Sequence, residues 1–326
     1  MKKRKYVIVT PRQTGGGPIV LHALCKYLGD LGENAKVFYI NDYMYLDDRH
    51  VKYWIKWILF FFVDLMKISY VKFIGENNIK NKAKFNGYIN VPLNCKRKYL
   101  PFISKDTIVI YPEIVFGNIL HSPNVVRWFL FHGNRYDKIR DTLKGNQYGD
   151  SDLFYCFRDI FNVEKYNPNY NKLYIQYYNL DTYKRHNFGP RNGICYVIRK
   201  GKNRNDLPKN FDGIIIDNLS EKEKVEVLNN SKYCISYDTQ TAYSQIAALC
   251  GCISIVVPEP GKSKADYRTE NDIDYGEAFG FDEKEIQRAQ ESAHKVLEYY
   301  KKVNNEGKEA VKEFVEKCEA YFLVER

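Results

Sequence analysis

Short apolar segments alternate with helical patterns along this chain, and this alternation restricts the fold more than any other feature. Residues 5–10, 35–40 and 107–111 are β-rich apolar runs, whereas residues 19–28 carry apolar side chains at helical spacing. Because strands that alternate with helices form parallel sheets, the pattern predicts an α/β fold. Further strands are predicted at 88–91, 125–131 and 153–157.

The alternation restarts after a polar stretch at 179–193, NLDTYKRHNFGPRNG. Strands are predicted at 194–198, 213–216, 233–237 and 253–257, and a helix capped by Ser220 is predicted at 220–229. Two long charged helices with apolar stripes follow within 282–322. We therefore predict two α/β domains, at 1–185 and 186–326, with the terminal helices in the second.

Polar residues follow several of the predicted strands. In open α/β sheets, ligands bind at the carboxyl ends of the strands, so these residues are the candidates for chemistry. They are Gly15, Gly16 and Gly17, then Glu113, His132, Arg199 with Lys200, and Asp238 with Thr239.

Two glycine-containing segments imitate nucleotide-binding motifs. GGGP at 15–18 is not GxGxxG, so it predicts either a structural turn or a loop that a phosphate or acceptor approaches closely. PGKSK at 260–264 resembles the end of a Walker A loop, but that motif requires Gly where Val256 stands. Both standard motifs are excluded.

A basic turn, RKGKNR at 199–204, follows the first strand of the second half. Solvated charge is one interpretation of this turn. At the carboxyl end of a strand, a phosphate clamp built from Arg199, Lys200 and Lys202 is the other.

The stretch SYDTQTAYSQIAALCGC at 236–252 places hydroxyl groups at a predicted helix start near Thr239. A helix N-terminus carries unsatisfied N–H groups and about half a positive charge. Asp238 is either its cap or, with Tyr237, part of a ligand site. Thr239, Thr241 and Ser244 are then predicted donors to an anion such as a diphosphate.

The sequence contains no spacing typical of a metal site. Asp150-Ser151-Asp152 imitates a DxD metal motif, but it precedes a strand and is interpreted as a solvated turn. We therefore expect no metal and no other cofactor.

The net charge of +10 is compatible with a polyanionic partner. Lys and Arg are spread along the chain among acidic residues and no groove-reading motif is present, so nucleic acid is not expected. None of the eight cysteines forms a CxxC pair, which indicates reduced core residues of a cytoplasmic protein.

The aromatic segment VKYWIKWILFFFVDLMKISYVKF at 51–73 has two interpretations. It is either a buried helix or a helix that lies on a membrane surface through aromatic and basic side chains. Lys56, Asp64 and Lys67 interrupt it, so its longest unbroken apolar run is too short to span a bilayer.

Three segments together resemble a known family. TPRQTGGGPIVLHALCKYLGDLG, VIYPEIVFGNILHSPNVVRWFLFHGN and SYDTQTAYSQIAALCGC are similar to segments of GT-B fold glycosyltransferases of the bacterial surface-polysaccharide (capsule or O-antigen) type. The resemblance implies two Rossmann-like domains that face each other across a cleft. In the broader group, two acids precede an AxxCG ending; here they correspond to Asp238 and Ile246, so one is changed and the other is absent.

The resemblance implies an enzyme that moves a sugar from a nucleotide-sugar donor to a surface-glycan or lipid-linked acceptor. The expected location is the cytoplasm, at the inner face of the cell membrane if residues 51–73 lie on a membrane surface. The donor would bind the second domain and the acceptor would enter past Gly15–Gly17. Glu113 or His132 would be the base of an inverting reaction. Two alternatives stay open: a nucleotide-sugar epimerase of the same fold, and a non-catalytic partner that binds a nucleotide sugar.

Overall fold

The computed structural model describes residues 4–11, 16–40, 51–75, 78, 103–132, 148–268 and 273–323. The chain forms two compact units, Met1–Tyr177 with Asn304–Arg326, and Tyr178–Val303. The sequence division at 185/186 places both terminal helices in the second half. In the structure, the end of the last helix belongs to the first unit.

The first unit contains a five-stranded parallel sheet with the order β2-β1-β3-β4-β5. Its strands are β1 (Lys5–Pro11), β2 (Asn34–Ile40), β3 (Thr107–Pro112), β4 (Asn124–Phe129) and β5 (Leu153–Cys156), and its helices include α1 (Gly16–Asp30) and α2 (Val51–Ile74). These elements confirm the predicted ones. The strand predicted at 88–91 lies outside the described residues.

The second unit contains a five-stranded parallel sheet with the order β10-β9-β8-β6-β7. The strands are β6 (Ile194–Val197), β7 (Ile214–Ile215), β8 (Tyr233–Ser236), β9 (Ile253–Val256) and β10 (Glu277–Phe279). The helices are α3 (Glu221–Asn230), α4 (Tyr243–Cys250), α5 (Glu283–Ser292) and the beginning of α6 (His294–Leu323), which continues into the first unit. The predicted cap at Ser220 is confirmed, since Ser220 and Glu223 form a reciprocal capping box.

The two sheets share one topology. In each, the second strand along the chain lies outside the first, and the third, fourth and fifth extend from the other side of the first. This is a doubly wound order, and its strand sequence reverses between β1 and β3 in one sheet and between β6 and β8 in the other. The predicted α/β class is confirmed. The carboxyl ends of these two strand pairs are where such sheets bind ligands.

Apolar residues of the sheets and helices form a separate core in each unit. In the first unit, Ile8, Leu24 and Trp128 lie in one cluster with Phe314 of α6. In the second unit, the cluster combines β6, β8, α4 and the beginning of α6, where Tyr300 stacks on Tyr178 with 3.6 Å between ring centroids. The two ends of α6 therefore contribute to different cores.

The cysteines are interior residues, as predicted. Seven of them fall within the described residues, and each is a buried thiol that forms no disulfide. Cys95 lies outside the described part of the chain.

The aromatic segment forms α2, but the buried-helix interpretation is wrong for one of its faces. Val71 is buried, whereas Phe62 and Phe73 are exposed. Within the described residues, no helix has the length and apolar character that crossing a bilayer requires.

Candidate functional site

Asp217 shapes the loop that follows β6. Its Oδ2 accepts hydrogen bonds from the backbone N–H groups of Ile198 (3.0 Å) and Arg199 (2.8 Å). Arg199 has a backbone φ of 32°, in the left-handed region that side chains other than glycine rarely adopt. Such strain persists where the surroundings impose it and is often found at functional sites.

The same loop is pressed against the end of β8. Gly201 is buried there, and a Cβ atom at this position would lie 2.3 Å from the carbonyl oxygen of Tyr237. Arg204 donates to the carbonyls of Tyr237 (3.1 Å), Val257 (2.7 Å) and Pro258 (2.8 Å). Arg204 therefore ties together the carboxyl ends of β8 and β9.

Asp238 begins the turn between β8 and α4 (residues 238–242). It is 2% exposed, and its Oδ1 accepts a hydrogen bond from the backbone N–H of Gln240 at 3.1 Å. This is an Asx turn and not the predicted helix cap. Among the described residues, nothing hydrogen-bonds to the buried Oδ2 of Asp238. A buried carboxylate oxygen without a partner favours binding of a donor group at this turn.

The helix itself starts later than predicted, at Tyr243 and not near Thr239. Thr241 Oγ1 accepts from the backbone N–H of Tyr243 at 3.2 Å, so Thr241 supports the first turn. The Ser244 hydroxyl donates to the carboxylate of Glu277 and lies 2.9 Å from the carbonyl oxygen of Thr241. Ser244 is 1% exposed, so the predicted donation from Ser244 to a ligand phosphate is replaced by an internal contact.

Three basic side chains from two different loops converge on this turn. Lys200 Nζ donates to the carbonyl of Gln240 (3.3 Å), and Arg268 Nη1 donates to the carbonyl of Thr239 (3.2 Å). The guanidinium carbon of Arg199 lies 5.5 Å from the centroid of the Tyr243 ring. We call Arg199, Lys200 and Arg268 the cationic cluster. Sequence reasoning missed Arg268 because it follows no predicted strand.

Glu277 positions Arg268 of the cationic cluster and Ser244 of α4. Its side chain is fully buried and lies 3.5 Å from Arg268 Nη2. Burial raises the pKa of Glu277, and the contacts with Ser244 and Arg268 oppose that rise. Ile246, where the resemblance expects an acid, is a buried core residue. Glu277 belongs to β10, and its carboxylate contacts Ser244 and Gln245, which directly precede Ile246 in α4.

Two other predicted donor residues are placed differently. The Tyr237 ring is buried among core residues, with Phe211 at a centroid distance of 6.3 Å, and Arg204 lies over it. Its predicted contact with a ligand is therefore replaced by packing. Lys202 is exposed on the loop after β6, and no contact joins it to the cationic cluster in the described structure.

Glu113 occupies the corresponding edge of the first unit, directly after β3. It is 6% exposed, and its Oε2 accepts a hydrogen bond from the backbone N–H of Leu130, beyond β4, at 2.9 Å. Burial raises the pKa of Glu113, although the backbone N–H groups of Leu130 and Phe131 oppose that rise. A carboxylate whose pKa is raised toward neutrality is suited to proton transfer.

His132 lies on the loop that follows β4, two residues after Leu130, whose backbone N–H donates to Glu113. Its exposed ring packs against Phe131 and Phe161, with centroid distances of 4.8 and 5.1 Å. The structure therefore brings Glu113 and the His132 loop together at the carboxyl edge of the sheet.

The glycine loop leads to the same edge. Gly16 and Gly17 form the first residues of α1, and Gly15 lies outside the described residues. A Cβ atom at Gly17 would lie 3.6 Å from the Leu130 side chain. The N-terminus of α1 is thus close to the loop that binds Glu113.

The solvated-turn interpretation of Asp150-Ser151-Asp152 is wrong for Asp152. This side chain is buried, and its Oδ2 accepts from Arg127 Nε at 2.7 Å and from the backbone N–H of Gly149 at 3.0 Å. Arg127 is itself buried, between the rings of Tyr111 and Tyr148. Asp152 is therefore engaged in a buried ion pair. Within the described ranges, no three His, Cys, Asp or Glu side chains are grouped to hold a metal ion.

Comparisons with known proteins find no matching family model and no matching curated protein. Two solved structures to which the chain is similar are glycosyltransferases. One, from Rickettsia africae ESF-5, aligns over 100% of both chains with 11% identity and a TM-score of 0.38. The other, the glycotransferase of kitacinnamycin, aligns over 98% of this chain and 96% of its own with 8% identity and a TM-score of 0.32. Similarity at this level assigns no activity to the chain.

Proposed function

We propose that this protein is a glycosyltransferase that moves a sugar from a nucleotide-sugar donor to a glycan or lipid-linked acceptor. One observation carries the proposal: the cationic cluster converges on a turn that also holds Asp238 Oδ2, a buried oxygen to which none of the described residues donates a hydrogen bond. Cations bind a diphosphate, and a buried carboxylate oxygen accepts from a hydroxyl group. A nucleotide sugar combines both groups in one molecule.

The cationic cluster would stabilise the leaving group of such a reaction. When the glycosidic bond to the diphosphate breaks, negative charge accumulates on the departing oxygen. Arg199, Lys200 and Arg268 are already held in place by protein contacts, so little reorganisation accompanies that step. The positive end of α4 adds to their effect. No metal is required in this scheme, and the nucleotide sugar is a substrate, not a cofactor.

The first unit would bind the acceptor and provide the base. The acceptor hydroxyl gives its proton to the Glu113 carboxylate as its oxygen forms the new bond to the sugar, and His132 is the second candidate for this role. The location of both residues at the carboxyl edge supports the assignment. The presence of two doubly wound units in one chain is consistent with a GT-B glycosyltransferase of surface-glycan synthesis, acting in the cytoplasm.

The test begins with calorimetry on a panel of nucleotide sugars and nucleoside diphosphates. We expect one nucleotide to bind, and we expect Arg268→Ala to weaken that binding by about ten- to a hundredfold. This factor corresponds to the free energy that a hydrogen bond to a charged group contributes. Arg185→Ala is the matched control, because Arg185 is an exposed arginine of the same unit that contacts Asn187 and Phe188. Equal affinity in both variants contradicts the proposed site.

Turnover separates the proposed reaction from its alternatives. Transfer requires an acceptor, so the donor should persist when it is incubated with the protein and no acceptor. Conversion of the donor into an isomer under these conditions indicates an epimerase. Binding without hydrolysis or transfer, over a broad acceptor panel, indicates a non-catalytic partner protein.

A further inference from the structure

Helix α2 presents an apolar stripe to the solvent. Its exposed members recur at intervals of three, four and seven residues, the spacing of one helix face. We call this set the α2 stripe: Ile55, Ile58, Leu59, Phe62, Met66 and Phe73. Leu59 is 61% exposed, Met66 64% and Phe73 91%, so the stripe is not a core surface.

The stripe is long and continuous. From Ile55 to Phe73 it extends for about 27 Å at 1.5 Å per residue. Val71, on another face of the same helix, is buried, so α2 has one face toward the protein and one toward the solvent. Apolar patches of this extent mark interaction surfaces.

The charge of the surrounding sequence indicates what the stripe contacts. Residues 51–100 contain ten Lys and Arg but only two acidic residues, Asp64 and Glu76, so this segment carries +8 of the net +10 of the chain. Basic residues alone are spread along the chain, but the excess of base over acid is concentrated here. Two copies of the segment would repel each other, whereas an anionic surface would attract it.

We propose that α2 is a membrane-docking helix that inserts the α2 stripe into the interface of a bilayer containing anionic lipids. An apolar face flanked by basic residues binds such an interface by burying apolar area and by attraction to lipid headgroups. A nucleic-acid backbone offers no apolar counterpart to the Ile, Leu, Phe and Met side chains of the stripe. The inference does not rest on the proposed glycosyl transfer, because the test uses lipid binding alone.

The first experiment is flotation of the full chain with phosphatidylcholine vesicles that do or do not contain phosphatidylglycerol. We expect binding to the anionic vesicles, and we expect that binding to weaken as sodium chloride is raised. The triple variant Leu59→Ser/Phe62→Ser/Met66→Ser should lose about a hundredfold or more in partitioning, because it removes three large apolar groups.

The matched control is Ile160→Ser/Phe188→Ser/Phe281→Ser. It replaces three exposed apolar residues outside α2 and should bind vesicles like the wild type. Vesicle binding that survives in the α2 triple variant overturns the proposal, as does the absence of wild-type binding. A concentration-dependent dimer in solution that the α2 triple variant abolishes also overturns it, because the stripe is then an interface between copies.

A second measurement places a fluorescent probe in the stripe. Two of the three tryptophans, Trp54 and Trp57, belong to α2, whereas Trp128 is fully buried in the first unit. In Trp54→Phe/Trp57→Phe/Phe62→Trp, lipids with brominated acyl chains should therefore quench the one tryptophan that belongs to the α2 stripe. The quenching should disappear in Trp54→Phe/Trp57→Phe, and quenching that persists there contradicts docking by this helix.

Discussion

The carboxylate of Asp217 holds the backbone of Arg199 in a left-handed conformation. Asp217 Oδ2 accepts the N–H groups of Ile198 and Arg199, and the φ of Arg199 is 32°. This geometry places the Arg199 guanidinium over the Tyr243 ring, at the first residue of α4. The position of one cation of the cluster therefore depends on an acid from the loop after β7.

Asp217→Ala should weaken nucleoside diphosphate binding by about tenfold, similar to Arg199→Ala, because it removes the support for the Arg199 backbone. Calorimetry on both single variants and on the double variant forms a double-mutant cycle. The double variant should lose no more than Arg199→Ala alone. Additive losses would show that Asp217 acts independently of Arg199. Asp212→Ala, which removes a hydrogen bond from the Tyr196 hydroxyl, is the control and should retain affinity.

Glu113→Gln should lower kcat for transfer by about a hundred- to ten-thousandfold, the usual contribution of a positioned base. The KM for the donor should stay unchanged, because Glu113 lies in the first unit. Since burial raises the pKa of Glu113, the acidic limb of the pH–rate profile should lie above the ordinary Glu value of 4.5. Full activity in both Glu113→Gln and His132→Ala would eliminate both residues as the base.

The variant Glu277→Gln should gain stability relative to the wild type as the pH rises above about 4.5. The compared quantity is the free energy of unfolding of each protein. Burial raises the pKa of Glu277 in the folded state, so the folded chain binds this proton more tightly than the unfolded chain does. The resulting stabilisation is complete below the unfolded pKa and is lost as the pH rises through the folded pKa. Denaturant unfolding of both proteins at a series of pH values measures the difference.

Glu285→Gln provides a control of opposite sign. The hydrogen bond from Arg288 lowers the pKa of Glu285, so the stabilisation by this carboxylate is present at high pH and lost as the pH falls through the folded pKa. Glu285→Gln should therefore become less stable relative to the wild type as the pH rises. Parallel pH dependences for the two variants would contradict the environments described for both carboxyl groups.

Thr241→Val should lower the free energy of unfolding by about 0.5–2 kcal/mol, because it removes the oxygen that accepts from the N–H group of Tyr243. The hydroxyl proton of Thr241 can still donate to a phosphate oxygen, so affinity for the nucleoside diphosphate should also fall, by about tenfold. Thr241→Ser should restore both properties. A loss of stability with unchanged affinity would restrict Thr241 to its role at the helix start.

The local pattern predicted most elements and the candidate residues directly behind them. Glu113, Arg199 and Asp238 follow β3, β6 and β8, as expected from apolar runs that end in polar residues. Strand β10 was missed, because the three residues Glu277–Phe279 are too short for a periodic signal. The start of α4 was placed too early, because Asp238 bonds to Gln240 in a turn and leaves the helix to begin at Tyr243.

The residues that sequence reasoning missed share a different property. Arg268 reaches Thr239 and Glu277 reaches Ser244 across 29 and 33 positions of the chain, so no short window contains either pair. Asp217 reaches Arg199 across 18 positions. The sequence also predicted that Ser244 binds a ligand, because its hydroxyl lies near a helix start. In the structure this hydroxyl donates to Glu277 of β10.

The sequence by itself determined most of the strands and helices and the polar residues that directly follow β3, β6 and β8. These properties depend on side-chain periodicity and on capping, which act within a few residues. Only the tertiary structure decided the order β2-β1-β3-β4-β5 and its counterpart β10-β9-β8-β6-β7, and hence which loops become neighbours. The physical reason is that the backbone hydrogen bonds between parallel strands do not depend on which side chains the strands carry. One set of apolar strands is therefore compatible with many strand orders.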